Sequence, residues 1–254
     1  MKYTLRTSVL LTLAAVLLMS LTAIKWPDVS DNIYVQKASV VQVIKRDSGG
    51  LRRGSCTGWV LAGTSQIVTA AHCLGQPAPA DESSPYGVRK WAADPDKPSL
   101  YVIFNEDGIE HLVTVAAKGD AELVNGPDLM ILTMVETSYK MPQGLKVCSF
   151  EPRYGQNVYV MGHALGGVFA ITRGYVSRPK EWFVPLGDSP YVRDFIRFDG
   201  RMYPGNSGGP VVDETDGCVV GVVEMGASFT LEGYDDMNWL TPIKHLKIIL
   251  AGLK

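Results

Sequence analysis

From residue 39 onward the chain alternates apolar and polar positions in short runs separated by turn residues. Ser39 to Lys45 carries Val40, Val41, Val43 and Ile44, a β-branched set that predicts a strand. Cys56 to Leu61 and Gln66 to Thr69 repeat the pattern after a polar turn over Asp47 to Gly54. Leu100 to Phe104 and Ile109 to Ala116 flank Asn105-Glu106-Asp107-Gly108, a hairpin signal. Asp128 to Met134 makes a sixth strand. Ala78 to Lys97 is rich in Pro, Asp and Ser without any period, so it reads as a surface loop. Six short strands joined by turns predict a small antiparallel barrel.

The second half repeats the theme. Strand-like runs cover Leu145 to Phe150, Asn157 to Met161, Val168 to Ser177, Asp194 to Phe198, Pro210 to Val212 and Cys218 to Glu224, with Asp216-Gly217 as a hairpin turn. An irregular stretch with Asp235 and Asp236 follows. Thr241 then suits an N-cap and Pro242 a first helical turn. Leu246, Ile249, Leu250 and Leu253 form one apolar stripe, so the pattern predicts a helix over about 241–253.

The N-terminus has a different character. Behind Lys2 and Arg6, Ser8 to Ile24 is an uncharged apolar run ended by Lys25, Trp26 and Pro27. It is long for a secretory signal, whose apolar part covers about 7–15 residues, and short for a membrane span of about 17–25. A signal cleaved after Leu21-Thr22-Ala23 and an uncleaved anchor at residues 8–24, with Trp26 at the interface, both stay open. Either way the basic end remains inside and the rest is exported, periplasmic or extracellular. Residues 1–31 are therefore set apart from one domain over 32–254, with barrels over about 33–137 and 144–240.

A chain of 254 residues is enough for one domain of two barrels or for two small domains. A net charge of −2 gives no reason to expect nucleic acid as a partner. Four cysteines are too few for a disulfide scaffold but allow two bridges in an oxidising compartment. No His, Cys or acidic cluster has metal-ligand spacing, and nothing calls for a cofactor.

The densest chemistry lies in Gly205-Asn206-Ser207-Gly208-Gly209-Pro210. A serine hydroxyl is a weak nucleophile until a base takes its proton. Flanking glycines permit a sharp turn that aims the Gly205 and Ser207 amides at one point, where an oxyanion would be held. A base is offered by His72, which ends the run Val68-Thr69-Ala70-Ala71-His72-Cys73. Asp128 opens the apolar run Leu129-Met130-Ile131-Leu132 and would be buried beside an imidazole; its competitor, Asp120, sits in a polar stretch. His163, in Gly162-His163-Ala164, reads as structural, and His111 and His245 as solvated.

The order His72, Asp128, Ser207, with the two motifs quoted, resembles the chymotrypsin/trypsin-like serine peptidase superfamily over residues 33–250. The resemblance implies an all-β fold of two six-stranded antiparallel barrels with a C-terminal helix. It implies a Ser207–His72–Asp128 triad hydrolysing a polypeptide substrate through an acyl-enzyme, with no cofactor. An inactive peptide-binding protein on the same scaffold and an esterase are the other readings. Relatives build the specificity pocket from the segment before the serine, here Arg201 and Met202, and from a strand that pairs with the substrate backbone, here Glu224, Met225 and Gly226. Arg201 stands where trypsin-like relatives place an aspartate. Buried, it would favour an acidic residue; turned away, or paired with Asp235 or Asp236, it would leave an apolar pocket lined by Met202. Relatives also imply a Cys56–Cys73 bridge. Cys148 and Cys218 remain as a second pair, with Cys218 on the return arm of the hairpin rather than the outgoing arm. Asn206 replaces the aspartate that receives a new N-terminal amine in zymogen activation, so no such trigger is expected. As the sequence stops at Lys254, no appended peptide-binding domain is expected either.

Overall fold

The structure, a computed structural model, describes residues 29–73, 99–118, 127–183, 193–227 and 237–251. The apolar run at 8–24, the 78–97 loop, Asp120 and Asp235–Asp236 lie outside the described residues.

A short helix, α1 (Val29–Lys37), precedes six strands: β1 (Val40–Arg46), β2 (Arg52–Val60), β3 (Gln66–Thr69), β4 (Ser99–Phe104), β5 (Glu110–Lys118) and β6 (Met130–Met134). They close into an antiparallel barrel in the order β1-β2-β3-β6-β5-β4. Val41, Val43, Ile67, Val102, Phe104, Met130 and Leu132 fill it. β1 does not alternate between buried and exposed positions; all but its last residue are buried. The reason is a second covered face. Gln42 points out of the first barrel, yet its amide donates to the Gly166 carbonyl of the second barrel at 2.9 Å.

The second barrel contains β7 (Asn157–Gly162), β8 (Ala170–Phe183), β9 (Arg193–Asp199), β10 (Pro210–Asp213), β11 (Val219–Ala227) and β12 (Met237–Pro242). Its cyclic order, β10-β11-β12-β9-β8-β7, is that of the first barrel shifted by six strands. Cys148, Val158, Val160, Ile196, Phe198, Val211 and Leu240 form its core.

Two predicted elements are corrected. Leu145 to Phe150 is not a strand; it touches the barrels through isolated bridges, Leu61 with Leu145 and Val147 with Val219. The sixth strand is β12, in the stretch read as irregular and as a helix start. Thr241 is therefore no N-cap: it pairs with Val222 in the sheet, and its hydroxyl donates to the Glu224 carboxylate at 2.5 Å. The C-terminal helix, α2 (Lys244–Ala251), begins beyond Ile243 and rests against β5 as well as β12.

Both cysteine pairs are bridged. Cys56–Cys73 ties β2 to the turn after β3, and Cys148–Cys218 ties the inter-barrel segment to the residue before β11. His111 and His245 are not solvated. His111 keeps only 10% of its side chain exposed, packs against Tyr139 and pairs with Asp107 at 3.0 Å. His245 pairs with Asp194 at 2.6 Å. That carboxylate also takes Lys244; burial works to raise its pKa, but the hydrogen bonds from Lys244 and His245 hold it below the usual range.

Candidate active site

The pairing of β3 with β6 places the histidine and the aspartate together. Thr69 lies opposite Met130, so continuing the antiparallel register brings the 3-10 turn Ala71–Cys73 beside Asp128. Asp128 is buried, with one oxygen accepting the His72 backbone N–H at 2.8 Å and the other 2.5 Å from His72 Nδ1. This two-point grip fixes both backbone and ring. It leaves Nε2 as the ring nitrogen able to receive a proton. Burial opposes the imidazolium, but the field and hydrogen bond of Asp128, with the Glu224 carboxylate adding to them, outweigh it and hold the His72 pKa above its ordinary value.

Ser207 arrives from the other barrel. Its carbonyl accepts the Thr57 N–H at 2.8 Å, and Cys73 Sγ lies 3.9 Å from the same oxygen, so the neighbours of His72 pack on the serine backbone. Gly208 is required here. Its φ is +82°, and a β-carbon would stand 2.3 Å from Thr57 O and Thr69 Oγ1. Gly205, at φ +97°, is equally tight against the His163 carbonyl, at 2.4 Å. The amides of Asn206, Gly208 and Gly209 donate to Tyr203, Val223 and Asn206 respectively. Among the described residues the Gly205 and Ser207 amides donate to nothing, and Ser207 Oγ has no hydrogen bond.

Thr57 went unnoticed in the sequence. Fully buried on β2, its hydroxyl donates to Gly205 O at 2.7 Å and accepts the His163 N–H at 2.9 Å. Its carbonyl accepts from Thr69 Oγ1 at 2.7 Å. A threonine in a strand gives no signal of this role, because all its partners but Thr69 lie about a hundred residues away or more.

His163 is buried with Nδ1 at 3.2 Å from Gly167 O and, among the described residues, Nε2 has no partner. Burial lowers its pKa, with Arg52 and Lys37 acting in the same direction, which keeps the imidazole neutral. Arg201 is exposed, and Met202 packs partly against the second core. Glu224 is turned inward at a bulge in β11, between Val223 and Met225. Met225 and Gly226 pair with Trp239 and Asn238 of β12. Cys56, His72 and Cys73 converge closely enough to suggest metal ligands, but both sulfurs are held in the disulfide.

A profile of the trypsin-like peptidase domain matches residues 56–222, which span both barrels. The chain belongs to the trypsin-like peptidase family. Among curated relatives, the rat serine protease HTR4 is 30% identical over 149 residues, covering 51% of this chain and 30% of that protein. The Bacillus subtilis serine protease Do-like HtrB is 26% identical over 171 residues, covering 62% and 36%. The match thus spans about a third of the length of these relatives. In fold, the trypsin-like domain is similar to the active form of the Rv3671c protease of M. tuberculosis, with a TM-score of 0.64 at 19% identity over 87% of this chain and 83% of that one. A serine endoprotease from Yersinia pestis gives 0.61 at 16% identity, over 89% and 66%.

Proposed function

We propose that the protein is an exported serine endopeptidase in which Ser207 is the nucleophile, His72 the general base and Asp128 the residue that fixes the histidine tautomer. The observation that carries this reading is the grip of Asp128 on His72, through ring and backbone together, beside a serine loop with two unengaged amides. Ser207 Oγ attacks the peptide carbonyl while His72 Nε2 accepts its proton. The oxyanion forms facing the Gly205 and Ser207 amides. The carbon–nitrogen bond then breaks, and the imidazolium protonates the departing amine. Water, deprotonated by the same imidazole, releases the acyl group. The missing Ser207 hydrogen bond suits a resting site, since such contacts commonly tighten only with substrate bound.

β11 is bonded to the serine loop through Gly208 N to Val223 O and runs on from there through Glu224, Met225 and Gly226. It lies next to Ser207 and is suited to take the acyl half of the substrate as an added strand. With Arg201 on the surface, the reading with an apolar first pocket near Met202 is favoured over a buried arginine selecting an acid. Two closed disulfides support export. As for the membrane, no helix among the described residues is long and apolar enough to cross one.

The test is labelling with a fluorophosphonate together with a peptide-library digest. Wild type is expected to label at Ser207 and cleave internal peptide bonds, and Ser207→Ala to do neither. Asp128→Asn should retain the fold and lose about 10⁴-fold in turnover. Cleavage that persists in Ser207→Ala, or ester turnover without any peptide turnover, overturns the reading.

A further inference from the structure

A cleft of about 500 Å³ opens beside Gly205. Arg52 and Ser55 of β2 form one wall, Leu165 and Gly166 the other, and Pro204 and Gly205 the floor. Its place relative to Ser207 is set by hydrogen bonds. On one side the serine loop is bonded to β11, through Gly208 N to Val223 O and Val223 N to Gly209 O. On the other it is bonded to β2, through Thr57 N to Ser207 O and Thr57 Oγ1 to Gly205 O. The cleft is on the β2 side. A peptide whose acyl half adds to β11 therefore leads its departing half into it.

The chemistry of the cleft is that of one cation. Among the described residues, Arg52 is the only ionisable one lining it. Its single hydrogen bond among the described residues is a long one, Nη2 to Gly166 O at 3.3 Å. A guanidinium has five N–H donors, so most remain available. The nearby acids are hydrogen-bonded to other arginines, Glu110 to Arg46 through both oxygens and Asp47 to Arg53 at 2.6 Å, although Glu110 also feels the Arg52 charge. The far wall is rigid in shape. Leu165 has the left-handed φ of 55°, and its N–H donates to Pro204 O at 2.5 Å. A β-carbon on Gly166 would stand 3.0 Å from Arg52 Nη2, and one on Gly205 would stand 3.0 Å from Gly166 N, so a single residue, Gly166, lies between the guanidinium and Gly205. As an extended chain advances about 3.3 Å per residue, the first or second residue after the cleaved bond reaches Arg52.

We propose that this cleft receives the leaving-group side of the substrate and that Arg52 selects a carboxylate there. The carboxylate is the side chain of an Asp or Glu one or two residues past the cleaved bond, or the free C-terminus of a short leaving peptide. The proposal rests on the peptidase reading above and adds a substrate class to it.

The experiment uses internally quenched peptides identical up to the cleaved bond and carrying Glu, Gln or Lys after it, each with an amidated or a free C-terminus. The readout is the ratio of kcat/KM values within one enzyme. Wild type is expected to prefer Glu over Gln by about fivefold, the scale of a partly exposed charge pair, and less as salt rises. Arg52→Gln should bring that ratio to one, and Arg52→Glu should invert the series in favour of Lys. A preference among amidated peptides assigns the side chain; one confined to free C-termini assigns the terminal carboxylate. Equal rates for Glu and Gln together with equal rates for free and amidated C-termini in wild type, or preferences left unchanged in Arg52→Glu, with Ser207 still labelled and peptides still cleaved, overturn the proposal and leave the peptidase reading intact. No labelling and no cleavage of any peptide overturn both.

Discussion

Replacing Thr57 with valine keeps the shape of a fully buried side chain and removes only its hydroxyl. That hydroxyl is the acceptor for His163 N–H and the donor to Gly205 O. Valine offers neither, so one buried N–H and one buried carbonyl lose their partners. Each unpaired group costs about 1–3 kcal/mol, so Thr57→Val should lose about 2–6 kcal/mol, a large share of the roughly 5–15 kcal/mol that stabilises a typical domain. Thr57→Ser is the control: it keeps the hydroxyl and loses one methyl group, about 1 kcal/mol. Urea unfolding of the two variants, compared through their midpoints, reads the difference directly. Activity should separate them further. Gly205 carries one of the proposed oxyanion donors, and loss of such a donor costs about 10²–10³ in kcat. Thr57→Val should approach that loss at temperatures where it remains folded, and Thr57→Ser should stay near wild type. Equal stability within about 0.5 kcal/mol, with equal kcat, would show that the hydroxyl holds nothing at the site.

Other expectations follow from the same geometry. Because His72 must be neutral to accept a proton and its pKa is raised, kcat/KM should fall with decreasing pH along a limb centred above about 6.5. Glu224→Gln removes one of the raising influences and should move that limb to lower pH; an unmoved limb in the pH–rate profile would remove Glu224 from the electrostatics of the site. Replacing Cys148 and Cys218 by alanine opens a 70-residue separation and should cost about 4 kcal/mol, against about 3 for the Cys56–Cys73 pair at 17, both read by urea unfolding. Opening the shorter one should nevertheless lower turnover more, because Cys73 adjoins His72. Asn206 is a buried neutral amide, so a chain with a blocked, extended N-terminus should label at Ser207 without trimming; labelling that waits for proteolysis would reveal an activation switch.

The first barrel was legible because each of its strands has a β-branched or apolar face bounded by Gly, Asp or Pro. The second was harder at both ends. Leu145-Lys146-Val147 alternates like a strand, but its backbone finds only isolated bridges, one to Leu61 and one to Val219. Met237 to Pro242 carries a Thr-Pro pair that mimics a helix start, and the partner that claims the Thr241 hydroxyl, Glu224, is 17 residues away. His111 and His245 were misread for a similar reason: Asp194 lies 51 residues from His245, and His111 is covered by Tyr139, from a segment beyond the next strand. The motifs around His72 and Ser207 were visible because glycine and small residues are needed where backbones touch. Arg52 and Thr57 lack any such mark, as their roles exist only once the second barrel lies against β2.

The division of the site between two barrels has a consequence for how the protein is made. Residues 40–134 build the barrel that carries His72 and Asp128, while Ser207 follows after three further strands. With the triad proposed above, a chain emerging from its N-terminus and folding unit by unit holds its base before it has a serine to activate. The Ser207 backbone is set against Thr57 and Cys73 only when the seam at Thr57 and Gly208 has closed. The proposed triad therefore predicts that half-made copies do not cleave one another, and that the onset of labelling at Ser207 during refolding times the last event of assembly.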